Sequence, residues 1–262
     1  MVPKKVFFTN GVGKHKEKEL IDDYCKSKNR LIFLDYDGTL IRFFDRPEDA
    51  KPTDDILDVL EKLASDKKNE LVIISGRARK TIDEWFDIDM SFVAGHGAWT
   101  KEGRGEWEKA KNLNDSDWKS KVRPIFEKYV ETTPGSLIEE KDFSLAWHFR
   151  GVDSTTSHKR ARTLVKELEF VHSMNLQLLD VSEVVEVMNA GVDKSTAALH
   201  WIEKPGWDFI LAIGDDWTDE NTFSVLPAAA YSIKVGPLPS QARFRMESPD
   251  MVMKFLKKLI EA

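Results

Sequence analysis

Asp35 and Asp37 flank Tyr36 at the end of the apolar run Leu31-Ile32-Phe33-Leu34 and lead into Gly38-Thr39-Leu40. Two carboxylates one residue apart repel each other, and burying either without a partner is expensive. A divalent metal removes that objection, because hard cations such as Mg²⁺ take oxygen ligands and commonly work with a phosphate. The spacing leaves one carboxylate free to attack phosphorus while the other handles protons. Ser75 ends a second apolar run, so its hydroxyl and the amides after it could hold phosphate oxygens at a helix start. Lys194 opens a helix and could neutralise charge on the same phosphoryl group. Gly214-Asp215-Asp216-Trp217-Thr218-Asp219-Glu220 closes a third run with a concentration of acids. Asp215 is placed to join Asp35 on Mg²⁺, with Asp219 as a further or outer ligand.

Each of these residues also has a plainer use. Ser75 and Asp216 suit helix caps, Lys194 suits a surface helix, and the acids near Asp215 suit a helix N-terminus. Asp35 and Asp37 do not yield to such a reading, since both fall at the end of a buried strand. Four polar clusters, each at a strand end or a helix start, are most simply one phosphate site.

The elements that must position these groups follow from hydrophobic spacing. Helices are predicted over 14–28, 53–65 and 78–86, with strands over 31–34, 71–74 and 91–94. That alternation is the rhythm of a doubly wound, mostly parallel Rossmann-like α/β sheet, whose ligands bind beyond the carboxyl ends of the strands. After about Gly103 the rhythm changes. A helix over 115–130, a hairpin of 136–140 with 144–148, a helix over 157–171 and strands 176–179 and 184–187 describe an inserted α+β domain. Helix 194–202, strand 209–213, a helix from Glu220, strand 231–235 and helix 250–259 then resume the α/β pattern. The expected division is 1–104 with 188–262 as the catalytic core, and 105–187 as an inserted cap that sets substrate specificity.

Composition bounds the partners. The chain has 262 residues, 41% hydrophobic and 32% charged, with a net charge of −6. That acidic balance argues against nucleic acid. No apolar run approaches the roughly 18 residues of a membrane span, and the Val6-Phe7-Phe8 patch is too short for a signal-peptide core. One cysteine, Cys25, rules out an internal disulfide and points to a reducing, cytoplasmic setting. The abrupt polar opening would suit a domain cut from a longer polypeptide.

Asp35-Tyr36-Asp37-Gly38-Thr39, Ser75, Lys194 and Gly214-Asp215-Asp216 with Asp219 resemble the four motifs of the haloacid dehalogenase superfamily. Ile74-Ser75-Gly76-Arg77, Gly95-His96-Gly97-Ala98, Glu139-Glu140-Lys141-Asp142-Phe143-Ser144 and Trp147-His148-Phe149-Arg150 are, within it, similar to the trehalose-6-phosphate phosphatase family. The likeness runs from about Arg30 to Ile260 and is nearest the phosphatase half of two-domain synthase/phosphatase proteins. It implies a Mg²⁺-dependent phosphatase of trehalose biosynthesis in which Asp35 forms an aspartyl-phosphate, Asp37 is the acid and base, and Ser75 and Lys194 hold the phosphoryl group. The implied metal set is Asp35, Asp37 through its main-chain carbonyl, Asp215 and Asp219. Glu139, Lys141 and Glu186 match positions that bind the sugar, with His148 and Arg150 as further candidates and Arg77 and His96 lining the site from the core. The implied partner is a trehalose-phosphate synthase domain, fused or separate. Ser195 departs from the family, where glycine is common. Phosphatases for sucrose or mannosylglycerate phosphates, sugar phosphomutases and a non-catalytic regulatory domain are the competing readings.

Overall fold

The computed structural model describes residues 13–111, 113, 117–150, 152, 154–181 and 183–262. The Val6-Phe7-Phe8 patch and the anticipated helix start at Asp115 lie outside them. The strands are β1 (Arg30–Leu34), β2 (Asn69–Ile74), β3 (Ser91–Ala94), β4 (Trp99–Lys101), β5 (Glu108–Lys109), β6 (Leu137–Lys141), β7 (Ser144–His148), β8 (Leu176–Val181), β9 (Val184–Asn189), β10 (Phe209–Gly214), β11 (Tyr231–Val235) and β12 (Phe244–Met246). The helices are α1 (Lys14–Lys26), α2 (Asp54–Ser65), α3 (Arg79–Trp85), α4 (Lys119–Thr132), α5 (Ser154–Glu167), α6 (Lys194–Ile202), α7 (Trp217–Val225) and α8 (Pro249–Glu261).

Two compact units result: 1–43, 50–109 and 193–262 in one, 44–49 and 110–192 in the other. The spacing had put 44–49, 105–109 and 188–192 on the other side of the division. Strand β5 keeps 108–109 with the larger unit by pairing with Trp99 and Thr100, and β9 carries the smaller unit to Asn189.

In the larger unit the sheet order is β12-β11-β10-β1-β2-β3-β4-β5. β12 to β3 run parallel, and β4 and β5 are antiparallel at one edge. β1 is buried along its whole length, as a central strand covered on both faces must be. Ile32 and Leu34 join one core with Leu60 of α2 and Leu256 of α8. Leu31 and Phe33 join the other with Ala198 and Trp201 of α6. The period of two thus sends alternate side chains to opposite layers. No helix among the described residues is long and apolar enough to cross a membrane.

The smaller unit is a four-stranded antiparallel sheet, β6-β7-β9-β8. Leu145 and Trp147 of β7 and Val185 and Val187 of β9 pack with Val122 and Phe126 of α4 and Leu164 and Leu168 from the α5 region. Several helix boundaries differ from the sequence reading, three helices most clearly. α4 starts at Lys119, and Pro124 is tolerated in its first turns. The predicted helix over 157–171 starts earlier and ends as α5 at Glu167, followed by a 3₁₀ segment, Glu169–Met174. α7 begins at Trp217 rather than Glu220, because Asp216 and Asp219 form a reciprocal capping box.

Phe126 is fully buried in the smaller core. Phe126→Ala should therefore destabilise that unit by about 3–5 kcal/mol, read by denaturant unfolding followed through tryptophan fluorescence. A change under about 1 kcal/mol would contradict the packing described.

Candidate active site

The chemistry gathers at the carboxyl ends of β1, β2 and β10. The Asp35 amide donates to the Ile213 carbonyl at 3.0 Å, so the chain stays in register with β10 past the end of β1. Tyr36 turns into the core and its hydroxyl donates to the Ala50 carbonyl at 2.7 Å. This anchor leaves Asp35 and Asp37 to the other side of the backbone, as alternation requires. Gly38 follows in a left-handed conformation, φ 82°, where a side chain would overlap the Asp215 carboxylate. A β-carbon at Gly214 would likewise overlap Asp219. Glycine at both positions lets the acidic loops approach each other closely.

Lys194, the first residue of α6, is 2% exposed. Its ammonium donates to Asp35 Oδ1 at 2.6 Å and to Asp219 Oδ1 at 2.8 Å. Asp193 caps α6 by accepting from the Thr196 amide at 2.9 Å, and the Ser195 hydroxyl joins the same oxygen at 2.5 Å. The serine that departs from the common glycine thus strengthens the cap. Asp219 Oδ2 accepts from the Asp216 amide at 3.0 Å, so both oxygens of Asp219 are engaged.

One ammonium serves more negative charge than it can neutralise. Burial, with Asp219 nearby, pushes the Asp35 carboxyl up to about 7 despite Lys194. Burial and the neighbouring acids also push Asp215 well up. For Lys194, burial is outweighed by Asp219 and Asp35, which hold the ammonium charged. Asp35 Oδ2 and Asp215 Oδ1 are buried without a hydrogen-bond partner. Ligand oxygens of Asp35, Asp215 and Asp219 lie within 4.8 Å of one another. Unpartnered hard oxygens in an over-charged pocket are what a small divalent cation needs, so the donor set fits Mg²⁺.

Ser75 is buried, and its hydroxyl oxygen accepts from the Arg77 amide at 3.1 Å. Arg77 grips Asp37 with two prongs, Nε to Oδ2 at 2.8 Å and a terminal nitrogen to Oδ1 at 2.5 Å. The structure therefore joins Arg77 to the expected acid–base residue. His96 sits in the turn Gly95–Gly97 after β3. Lys234, absent from the sequence reading, is fully buried on β11 and donates to the Asp215 carbonyl. A lysine between Ile233 and Val235 in a buried strand was the available signal.

In the smaller unit, Glu139, Ala146 and Glu186 form one cross-strand row over β6, β7 and β9. Paired residues share a face, and Ala146 leaves room between the two acids. The Lys141 ammonium donates to Glu186 at 3.1 Å and lies 3.8 Å from Glu139. A ring nitrogen of His148 meets Glu139 at 2.8 Å. Burial would raise the Glu139 carboxyl, yet Lys141 and then His148 hold it down to about 2. Arg150 stands apart from this row, paired with Glu183 at 3.2 Å and donating to the Phe44 carbonyl at 3.4 Å.

The α/β core, with an aspartate at the end of its central strand and an interrupting α+β unit, defines a haloacid dehalogenase-like fold. A haloacid dehalogenase-like hydrolase from B. subtilis shares it with a TM-score of 0.58 at 13% identity, over 87% of this chain and 98% of that one. The chain belongs to the trehalose-phosphatase family, whose model matches residues 33–250. The C-terminal domain of C. albicans trehalose-6-phosphate phosphatase superposes with a TM-score of 0.90 at 29% identity, covering 97% of this chain and 99% of that one. A bifunctional trehalose-6-phosphate synthase/phosphatase from Thermoproteus tenax is 37% identical over 230 residues, which is 87% of this chain and 31% of that protein. The chain spans about a third of the length of the curated relatives it matches.

The charge excess has a measurable consequence without metal. Native Asp35 keeps its proton up to about 7, whereas the unfolded chain loses it near 3.8. Between those values the native state binds more protons, so Asp35 makes stability fall as pH rises. In chelator, the melting temperature should drop between pH 5 and pH 8 more steeply for the native sequence than for Asp35→Asn. Equal slopes for the two proteins would show that another group titrates.

Proposed function

We propose that this chain hydrolyses trehalose 6-phosphate to trehalose and phosphate through an aspartyl-phosphate. The observation that carries the reading is the buried Asp35 carboxylate, one oxygen on Lys194 and the other without a partner, in a chain of the trehalose-phosphatase family. One carboxylate oxygen of Asp35 attacks phosphorus as the bond to the sugar oxygen breaks, and Asp37 gives the sugar oxygen its proton. Asp37 then takes a proton from water, which attacks the aspartyl-phosphate and frees phosphate and the Asp35 carboxylate. For the first step Asp37 must carry a proton, which requires the two-pronged Arg77 grip to open. Lys194 neutralises the transferring group, and Ser75 with the amides after it orients the phosphoryl oxygens.

Asp35, Asp215 and the Asp37 carbonyl would hold Mg²⁺, with Asp219 supporting them. Bound there, the ion supplies positive charge and Lewis-acid polarisation to the phosphoryl oxygens.

The sugar hydroxyls are assigned to Glu139, Lys141 and Glu186 with His148. What supports this is a preorganised row in which two acids, an amine and an imidazole already satisfy one another and can exchange those bonds for hydroxyls. We assign Arg150 to the same unit, Arg77 to the core side of the substrate and His96 to the turn behind Ser75. A trehalose-phosphate synthase domain, fused or separate, is the partner we propose, since the T. tenax relative bears both activities in its name. A cytoplasmic setting suits the exposed, unpaired Cys25.

The test is phosphate release from a panel of sugar phosphates and from a small aryl phosphate. Trehalose 6-phosphate should be the preferred ester, activity should vanish in chelator, and Mg²⁺ should restore it. Asp35→Asn should abolish turnover, and Asp37→Asn should slow it by about 10²–10⁴-fold. Glu139→Ala, Lys141→Ala or Glu186→Ala should cut turnover of trehalose 6-phosphate by about tenfold or more, an interaction of 1.4 kcal/mol or greater. The aryl ester should be nearly unaffected. Preference for a different sugar phosphate would reject the substrate, and equal losses on both esters would reject the sugar-reading row.

A further inference from the structure

The turn Gly95–Gly97 carries three residues with positive φ: 57° at Gly95, 57° at His96 and 115° at Gly97. A histidine in the left-handed region is uncommon, and such conformations persist where the surroundings over-determine them. The surroundings here are the two segments that hold the phosphoryl group. On one side the turn binds the Ser75 loop through its backbone. The Gly95 amide donates to the Arg77 carbonyl at 2.8 Å, and the His96 amide donates to the Ser75 carbonyl at 3.0 Å. The imidazole lies over Gly76, so that a β-carbon there would come within 2.4 Å of its Cε1 and Nε2. On the other side Gly97 abuts the residue that caps α6. A β-carbon on Gly97 would come within 2.5 Å of the Asp193 carbonyl oxygen.

We infer that this turn is a positioning wedge that fixes the Ser75 hydroxyl and the Lys194 ammonium relative to each other, with the His96 ring as its pressing face. Ser75 follows β2 directly and Lys194 starts α6, which the chain reaches only after the inserted unit. The turn contacts a backbone neighbour of each. His96 then acts through Ser75 and does not read the sugar. Placement matters at this scale, because a misplacement of about 1 Å in a catalytic group can cost about 10²-fold in rate.

The inference rests on the phosphatase reading, so its test uses a small aryl phosphate beside trehalose 6-phosphate, together with binding of inorganic phosphate by calorimetry. Phosphate binding reports on Ser75 and Lys194 whatever the natural ester is. Three variants decide it. His96→Gly keeps the backbone, since glycine accepts the positive φ. Its kcat should fall about tenfold on both esters, with KM for trehalose 6-phosphate little changed, weaker phosphate binding and an intact fold. Gly76→Ala, whose backbone does not need glycine, should fall further because the methyl and the ring compete for one space. In the double variant the ring is gone and the methyl fills its place, so kcat should return to the His96→Gly level or above it. Should Gly76→Ala fail to fold, a folded double variant with that kcat makes the same point. A His96→Gly loss confined to trehalose 6-phosphate would overturn the inference in favour of sugar contact. Unchanged kcat and phosphate binding in His96→Gly, or independent multiplication of the two losses, would overturn it outright.

Discussion

One buried ammonium holding two carboxylates, with a third beside it, is the constraint on which the larger unit is built. Taking an ion out of water costs several kcal/mol, and the cost is offset only where geometry and further hydrogen bonds are good. The chain meets that condition by bringing four segments to one point. β1 and β10 are neighbours in register, Leu34 opposite Ile213, so Asp35 and Asp215 leave adjacent strands within one residue of the same level. α7 returns Asp219 through a capping box, and α6 brings Lys194. Even so the cluster is over-charged, and the buried oxygens left on Asp35 and Asp215 have no partner inside the chain. An arrangement chosen for stability alone would satisfy them. That deficit is what the cation proposed for this site would offset.

Close approach is the second condition. Gly38 and Gly214 sit where any side chain would displace Asp215 and Asp219, so each acidic loop is keyed to a glycine of its neighbourhood. Position in the cluster is therefore set by backbone against carboxylate, which cannot relax as two flexible side chains could. The inserted unit respects the same geometry. The larger unit releases the chain at β5, paired to Trp99, and receives it again at Asp193, against Gly97. The two ends of the 110–192 segment thus meet Trp99 and Gly97, at and just after the Gly95–Gly97 turn.

The central strands and the strand-end residues were legible because their signals are strong and local. Leu31 to Leu34 and Phe209 to Ile213 are continuous apolar runs, and polar groups after such runs have few structural uses. What escaped detection lacked that contrast. β4 and β5 are short and partly or fully exposed, and their pairing is fixed by β3 rather than by propensity. β12, Phe244-Arg245-Met246, is an edge strand of three residues. The start of α7 was misplaced because Trp217 and Thr218 look unremarkable until Asp216 and Asp219 are seen to cap each other. The Arg77–Asp37 pair depends on a contact far apart in sequence, which no spacing rule reaches.

The smaller unit shows why the proposed sugar-reading face is harder to read from sequence than the strand-end cluster. Its inward face obeys alternation, with Leu145 and Trp147 packed under α4 and α5. Its other face carries Glu139, Lys141, His148 and Glu186, which pattern alone would class as a solvated charged surface. Register separates the two possibilities. Glu139 and Glu186 stand in one row across Ala146, and the acids share Lys141, whose side chain is only 9% exposed. Like charges placed in line and held by a nearly buried amine cost more than scattered surface ions would. A face that accepts such a cost while keeping every member paired is preorganised for polar groups of fixed geometry, and the hydroxyls of a sugar ring are groups of that kind.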